Sequence, residues 1–292
     1  MNAANYEGKR TLLAVLAHPD DETFGMGGTL ALYAQRGVAV HLVCATRGEV
    51  GEVAQHFLED FQSIGDLREH ELRCAARNLG LAGVHFLDYR DSGMAGSLEN
   101  QHPQSLAAAP LDEVAARVTA YIRDLRPQVV LTFDPVGGYR HPDHIAIHNA
   151  AVKAFYAASD PAQYPDQGPP FQPDKLYYHT FPRGWLSWMV RLMPLFGKDP
   201  RRFGQNEDID LLELAGDNFP VHARINYKSV LKEKEAATAC HASQGGMASS
   251  GNRFVRLAFR VAAGQDSYMR AYPAPDGGPK EVDLFAGISV DE

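Results

Sequence analysis

The chain has 292 residues, 45% of them hydrophobic, and a formal net charge of −8. Its length suits one large domain or a domain with an insertion, and its acidic balance argues against non-specific nucleic-acid binding, which needs clustered Lys and Arg. Cys44, Cys74 and Cys240 stand far apart without a Cys-x-x-Cys pair, a sparse, odd count that fits a reducing cytoplasm better than a disulfide framework. Residues 1–10 lack the apolar core of a signal peptide, and no apolar run reaches the roughly 20 residues that span a bilayer.

Taken in order, the apolar run from Leu12 to Leu16 reads as a buried parallel strand. It empties directly into His18-Pro19-Asp20-Asp21-Glu22. Residues 23–37 read as a helix closed by Gly37, and Gly25, Gly27 and Gly28 suggest close backbone approach. They are not a dinucleotide fingerprint, because Leu30 holds the last glycine position. Residues 38–45 form a second strand whose exit carries Glu49 and Glu52. Residues 68–79, with Leu72, Ala75, Ala76 and Leu79 on one face, form a helix closed by Gly80. Residues 84–88 are a third strand, leaving through Arg90 and Asp91. Residues 111–125 are a helix at 3.6 spacing, ended by Pro127. Residues 128–133 are a fourth strand, whose exit carries Asp134, Tyr139, His141, Asp143 and His144, and residues 145–158 are the helix after it. This alternation predicts an α/β, Rossmann-like layered fold with a mostly parallel central sheet and right-handed crossovers.

Beyond residue 159 the pattern loosens. Residues 159–173 are loop-like, 175–181 alternate as a strand, and 184–197 are apolar but too short to span a bilayer. Trp185, Trp188, Met189 and Met193 read as core or as a contact between copies in a homo-oligomer. Residues 221–225 suit a strand and 228–242 a helix; 254–259 and 267–272 are short elements of open type. The expectation is one domain over 1–292, with a variable insert at about 160–220 that caps the site.

Four strand exits then converge on one sheet edge, where open α/β sheets bind ligands. Three acidic residues and a histidine beside a buried strand are costly to desolvate unless a cation accompanies them. A helix-capping cluster would account for Asp21 and Glu22 but not for His18 or the downstream histidines. Histidine and carboxylate ligands suit Zn²⁺ or a similar ion, and two His plus one carboxylate leave a position for water. His18 and Asp21, three apart across a Pro-fixed turn, can face one point; His144 can join them, and by spacing alone His148 could pair with His144.

The two motifs, Ala17-His18-Pro19-Asp20-Asp21-Glu22 and His141-Pro142-Asp143-His144, resemble the signatures of the LmbE-like, or PIG-L, de-N-acetylases. The resemblance covers roughly residues 11–158, weakens over 228–246 and nearly vanishes over 160–220. It implies one Zn²⁺ (Fe²⁺ is the alternative in the cell) held by His18, Asp21 and His144. It implies Asp20 as the general base for the attacking water, and His141 as the group that stabilises the oxyanion and protonates the leaving amine. Asp143 would orient or charge His141, and Tyr139 matches a mobile tyrosine of the mycothiol branch. Arg68, Glu49 and Asp91 would bind the sugar, and Arg140 stands where that branch often has glycine, so substrate contacts can differ. The implied reaction removes an acetyl group from an N-acetylglucosamine-containing small molecule in the cytoplasm. The competing readings are an amidase on a thiol-sugar conjugate, a non-catalytic metal-stabilised sugar-binding protein, and a metallophosphoesterase. The last needs two metals and more ligands than the exits offer. Glu22 is left unassigned, either supporting the ligands from behind or starting a helix.

Overall fold

The first apolar run forms strand β1 (Thr11–Leu16), and all six of its residues are buried. A strand buried on both faces must be covered on both, the condition of a parallel sheet flanked by helices. The computed structural model describes residues 9–180, 190, 193–196, 199–200, 219–245 and 264–289. In it β1 pairs in parallel with β2 (Ala39–Cys44) and β4 (Val129–Phe133), while β3 (Gly83–Phe86) lies outside β2 and β5 (Lys175–Thr180) outside β4. The antiparallel strand β7 (Gln265–Tyr272) then pairs with β5, and β6 (Ala223–Asn226) forms the far edge. The seven-stranded order β3-β2-β1-β4-β5-β7-β6 matches the expected mostly parallel architecture. After β1 the chain builds outward on one side, and from β4 it builds on the other. The crevice between β1 and β4 is therefore the topological switch point, where such sheets bind ligands.

The helices refine the expected boundaries. The single helix over 23–37 is two pieces, α1 (Asp21–Phe24) and α2 (Gly27–Gln35), broken at Gly25 and Met26. A Cβ on Gly28 would overlap the Tyr227 ring, so the close approach is real and falls on α2. Helix α3 (Ile64–Leu79) starts four residues before the apolar repeat does, because Ser63 Oγ accepts from the Asp66 N–H at 3.1 Å and fixes the first turn. Helix α4 (Leu111–Leu125) has the bounds expected of it, and α5 (Gly137–Arg140) is a kinked turn. Helix α6 (Pro142–Ala157) begins three residues early, with Pro142 in its first turn, and α7 (Leu231–Cys240) follows β6.

The loop after α6 is organised by one side chain. Arg123, on α4 and 2% exposed, donates to the carbonyls of Ala157, Ala158, Asp160, Gln163, Tyr164 and Gly168. At the antiparallel edge Glu281 accepts from Lys175 Nζ at 2.8 Å, Tyr177 Oη at 2.6 Å and Arg270 Nη1 at 2.9 Å.

The cysteines correct the sequence reading. Cys74 on α3 and Cys240 at the end of α7, 166 residues apart, are joined by a disulfide with their Cα atoms 5.7 Å apart, while Cys44 is free and buried. Sequence separation says nothing about distance once α7 packs on α3. The parts of the expected insert at 181–189, 191–192, 197–198 and 201–218, with Trp185, Trp188 and Met189, lie outside the described residues, as does 254–259. Met193 is buried at the start of a short 3₁₀ turn. No helix among the described residues is long and apolar enough to cross a membrane.

Candidate metal centre

His18 leaves β1 at the switch point, and His144 sits in the first turn of α6, one connection after β4. Both are buried. His18 Nδ1 and His144 Nε2 lie 3.3 Å apart; Asp21 Oδ2 is 3.6 Å from the first and Asp21 Oδ1 3.3 Å from the second. Ligand atoms about 2.0–2.1 Å from one zinc ion at tetrahedral angles stand roughly 3.3–3.4 Å from one another.

The tautomers make the fit chemical as well as metric. His144 Nδ1 lies 3.1 Å from the Gly137 carbonyl, an acceptor, so that nitrogen carries the proton and Nε2 presents a lone pair. His18 Nε2 lies 3.1 Å from Asp143 Oδ2 and 3.5 Å from Asp91 Oδ1, so its proton is there and Nδ1 presents the lone pair. Two lone pairs meeting at 3.3 Å, with the Asp21 carboxylate beside them, repel unless a cation lies between. The residues present fit such an ion. Electrostatics agree. Burial works against a charge on His18, yet Asp91, Asp143 and Asp21 outweigh it and hold its pKa well above the usual value, so the surroundings favour positive charge at this point. Burial likewise opposes the charges of Asp21 and Asp91, but the facing histidines hold both well below the usual carboxylate range. Burial takes His144 down to about 4, keeping it neutral.

Asp143 corrects one expectation. Its carboxylate faces His18 and accepts from the Ser92 N–H at 2.9 Å and from the Ser92 hydroxyl; to His141 it offers only its backbone N–H, at 3.2 Å from Nδ1. The reason is local: His141 is the N-cap of α6, so its ring folds over the first turn while the Asp143 side chain turns inward. That N–H fixes Nδ1 of His141 as the acceptor, which leaves the ring proton on Nε2. Burial takes His141 down to about 2, with His18 and His144 adding to the fall, so the ring is a neutral donor. His141 also joins His18 and His144 within ligand distance, and His18, Asp91 and Asp143 form a second such group.

Asp20 faces differently from its neighbour. It stands at φ 111°, a left-handed conformation rare for a residue with a side chain. Burial raises its pKa to about 7, against the pull of Arg68. Arg68, buried on α3, donates to Asp20 Oδ2 at 3.2 Å, to the Pro19 carbonyl at 2.6 Å and to the Gly48 carbonyl at 3.2 Å. A Cβ on Gly48 would occupy the guanidinium's path. The family resemblance puts Arg68 on the sugar; its donors here go to Asp20 and to the Pro19 and Gly48 carbonyls.

The remaining expected residues divide. Asp91 accepts from Gly93 N–H at 2.8 Å, and its own N–H donates to Glu49 Oε2 at 3.2 Å. The Tyr139 ring stands edge-on to His144, centroids 4.9 Å apart, and burial pushes its hydroxyl pKa up. Asp134 accepts from the N–H groups of Val136 and Gly138 and shapes the turn. His148 points elsewhere, its Nδ1 2.8 Å from the Phe133 carbonyl, so it does not share the centre with His144. Arg90 pairs with Glu99 at 2.8 Å, and Glu52 is exposed. Glu49 and Arg90 line a polar cavity of about 440 Å³ with Tyr89, Glu113 and Arg117. Sequence reasoning misses Ser92 and the partner of Glu22. Glu22, wholly buried, lies 2.8 Å from His241 Nε2. Only tertiary contact brings 219 residues of separation to that distance.

A family model described as PIG-L, GlcNAc-PI de-N-acetylase, matches residues 13–155. A 1D-myo-inositol 2-acetamido-2-deoxy-alpha-D-glucopyranoside deacetylase of Geodermatophilus obscurus is 40% identical over 244 residues, covering 80% of this chain and 83% of its own. A protein of the same name from Streptomyces avermitilis is 36% identical over 293 residues, covering 96% and 98%. Among solved structures, an N,N'-diacetylchitobiose deacetylase from Pyrococcus horikoshii matches with a TM-score of 0.60 at 20% identity, over 89% of this chain and 83% of that one. GalB, a 4-carboxy-2-hydroxymuconate hydratase from Pseudomonas putida, matches at 0.59 and 20%, over 92% and 99%. At that identity the two structures speak for the fold alone.

Proposed function

This chain belongs to the PIG-L family of de-N-acetylases and is a deacetylase of a GlcNAc-containing small molecule; from that premise we propose that one zinc ion, held by His18, Asp21 and His144, serves its active site, and that its substrate is 1D-myo-inositol 2-acetamido-2-deoxy-alpha-D-glucopyranoside. The observation that carries the metal reading is the meeting of the His18 and His144 lone pairs at 3.3 Å beside Asp21. A divalent cation there supplies Lewis-acid polarisation and lowers the pKa of water to about 7. The substrate reading rests on the relatives' shared name and on their coverage of nearly the whole chain.

The chain's own residues then divide the work. Asp20 takes the proton of the attacking water at Oδ1, because Arg68 occupies Oδ2. His141 donates its Nε2–H to the acetamide oxygen as charge builds there, and its depressed pKa keeps that role electrostatic. Asp20 is the group left holding a proton for the departing amine, in place of the acid role expected for His141. Acetate and a free amine leave. Asp143 and Ser92 hold the His18 ring.

The test is amine release from this glycoside and from simpler N-acetylglucosaminides, with Zn²⁺, Fe²⁺ and Co²⁺ added separately. Asp20→Asn is expected to keep its metal and lose roughly 10²–10⁴ in turnover, and His144→Ala to lose metal by elemental analysis. Parental turnover in the first, or unchanged metal in the second, overturns the corresponding role.

A further inference from the structure

The active-site loop has a second buried pair that the chemistry above leaves unused. Glu22 and His241 are both 0% exposed. Glu22 Oε1 takes the His241 Nε2–H at 2.8 Å and the Thr23 hydroxyl, and Glu22 Oε2 takes the backbone N–H of Asp20 at 2.9 Å. Nothing among the described residues partners His241 Nδ1, which is buried as well. The ring's hydrogen bond among these residues therefore goes to this carboxylate.

That carboxylate reaches the one strained residue of the loop. A left-handed φ on a residue with a Cβ costs of order 1–3 kcal/mol and persists only where the surroundings fix it. The Thr23 and Phe24 N–H groups hold the Asp20 carbonyl at 3.0 and 2.8 Å in the first turn of α1, and the remaining fixing bonds come from two further directions. Arg68 holds the side chain, and the Glu22 carboxylate holds the N–H. His241 in turn is delivered by a pinned segment. Cys240 is bonded to Cys74 on α3, and the Ser243 N–H and hydroxyl bind Glu71 on the same helix at 2.8 and 2.7 Å. Helix α3 also carries Arg68. One helix thus anchors both arms that grip Asp20.

We propose that Glu22 and His241 are positioning residues that lock Asp20 in its left-handed conformation and so aim its free carboxylate oxygen at the attacking water. The proposal rests on the reading of Asp20 as the base. Among the described residues the hydrogen bond of His241 goes to Glu22 and not to the metal set, and its hydrogen-bonded link to Asp20 runs through that carboxylate. A residue with this role changes the rate of the chemical step and leaves metal and substrate binding in place.

The experiment uses the full, zinc-loaded chain and the inositol glycoside above. His241→Leu removes the donor and is expected to lower kcat by roughly 10- to 100-fold, with KM within about twofold and one metal per chain. His241→Gln restores a donor near the position of Nε2 and should bring kcat back to within about fivefold of the parent. In the Asp20→Asn background, His241→Leu should cost almost nothing further, because both act through one group. Should His241→Leu fail to fold, Glu22→Gln is measured in its place. Its amide cannot accept from both the Asp20 N–H and His241, and it is expected to show the same loss of kcat with KM and metal retained. A folded, metal-loaded variant with kcat within about twofold of the parent overturns the proposal. So does a full additional loss in the Asp20→Asn background, or a His241→Gln protein no faster than His241→Leu. If Asp20→Asn alone turns over at the parental rate, it is the base assignment that has failed, and the two failures are thereby told apart.

Discussion

Two clusters of charged groups among the described residues are built on opposite plans. At the antiparallel edge, Lys175 and Arg270 close on Glu281, with the Tyr177 hydroxyl between. Charges there alternate in sign, and the cluster needs nothing from outside. At the carboxyl ends of β1 and β4, Asp21, Asp91 and Asp143 surround His18 and His144, whose ring nitrogens meet at 3.3 Å, and favour a positive charge there. The carboxylates there share a sign. A buried cluster that balances itself is part of the framework; one that does not is waiting for a ligand.

The contrast breaks at definite places. Stripping the metal with a chelator should have the largest effect, a loss of about 10³ or more in turnover, since several kcal/mol of charge stabilisation go with the ion. Restored activity on adding Zn²⁺ completes that test, and turnover that survives exhaustive chelation would place the chemistry elsewhere. Glu281→Ala should cost about 3 kcal/mol of stability in urea unfolding, because Lys175 and Arg270 lose their shared counter-charge, while kcat per folded molecule stays at the parental value. Equal stability would mean that the edge cluster is dispensable. Asp143→Asn should weaken metal retention by about tenfold or more, measured against a competing chelator, because the His18 ring loses the carboxylate that orients it. A loss seen in kcat alone, with metal retention intact, would return Asp143 to the role expected beside His141.

The smallest effect is on pH. Burial takes His179, at the end of β5, down to about 3 in the folded chain, while in the unfolded chain it titrates near 6.5. Between those values the unfolded state binds the extra proton, so the stability from this neutral ring is whole above about pH 6.5 and falls as the pH drops toward 3. His179→Asn should flatten the decline in unfolding free energy, read from urea unfolding between about pH 7 and 5, by at most about 1.4 kcal/mol per pH unit. An unchanged slope would mean that other groups carry the acid sensitivity.

These outcomes bear on residues that are unequally legible. Leu12 to Leu16, the repeats of α3 and α4, and the two histidine motifs all carry their signals within a few neighbouring residues, so the parallel half of the sheet and the candidate metal set can be read directly. Glu22 cannot be, since its partner lies 219 residues away and nothing near His241 announces it. The Cys74–Cys240 bond is hidden in the same way, by the packing of α7 on α3. Asp143 misleads for a subtler reason. The family resemblance implies that its carboxylate orients or charges the His141 ring, whereas the turn of α6 sends it to His18. Antiparallel strands β6 and β7 are only half legible, because their burial is set by partners from distant parts of the chain.

Arg123 carries the same lesson to its limit. Its guanidinium grips six main-chain carbonyls between Ala157 and Gly168. Carbonyls are common to every amino acid, so part of the instruction for the shape of that stretch is written at position 123, beside what the stretch supplies itself: the Asp160 carboxylate on the Ala162 N–H and the Tyr164 hydroxyl on Asp112. One change at that position, on a different helix, would strip the stretch of six hydrogen bonds at once. Similarity over the letters of the stretch is therefore an incomplete measure of similarity in form.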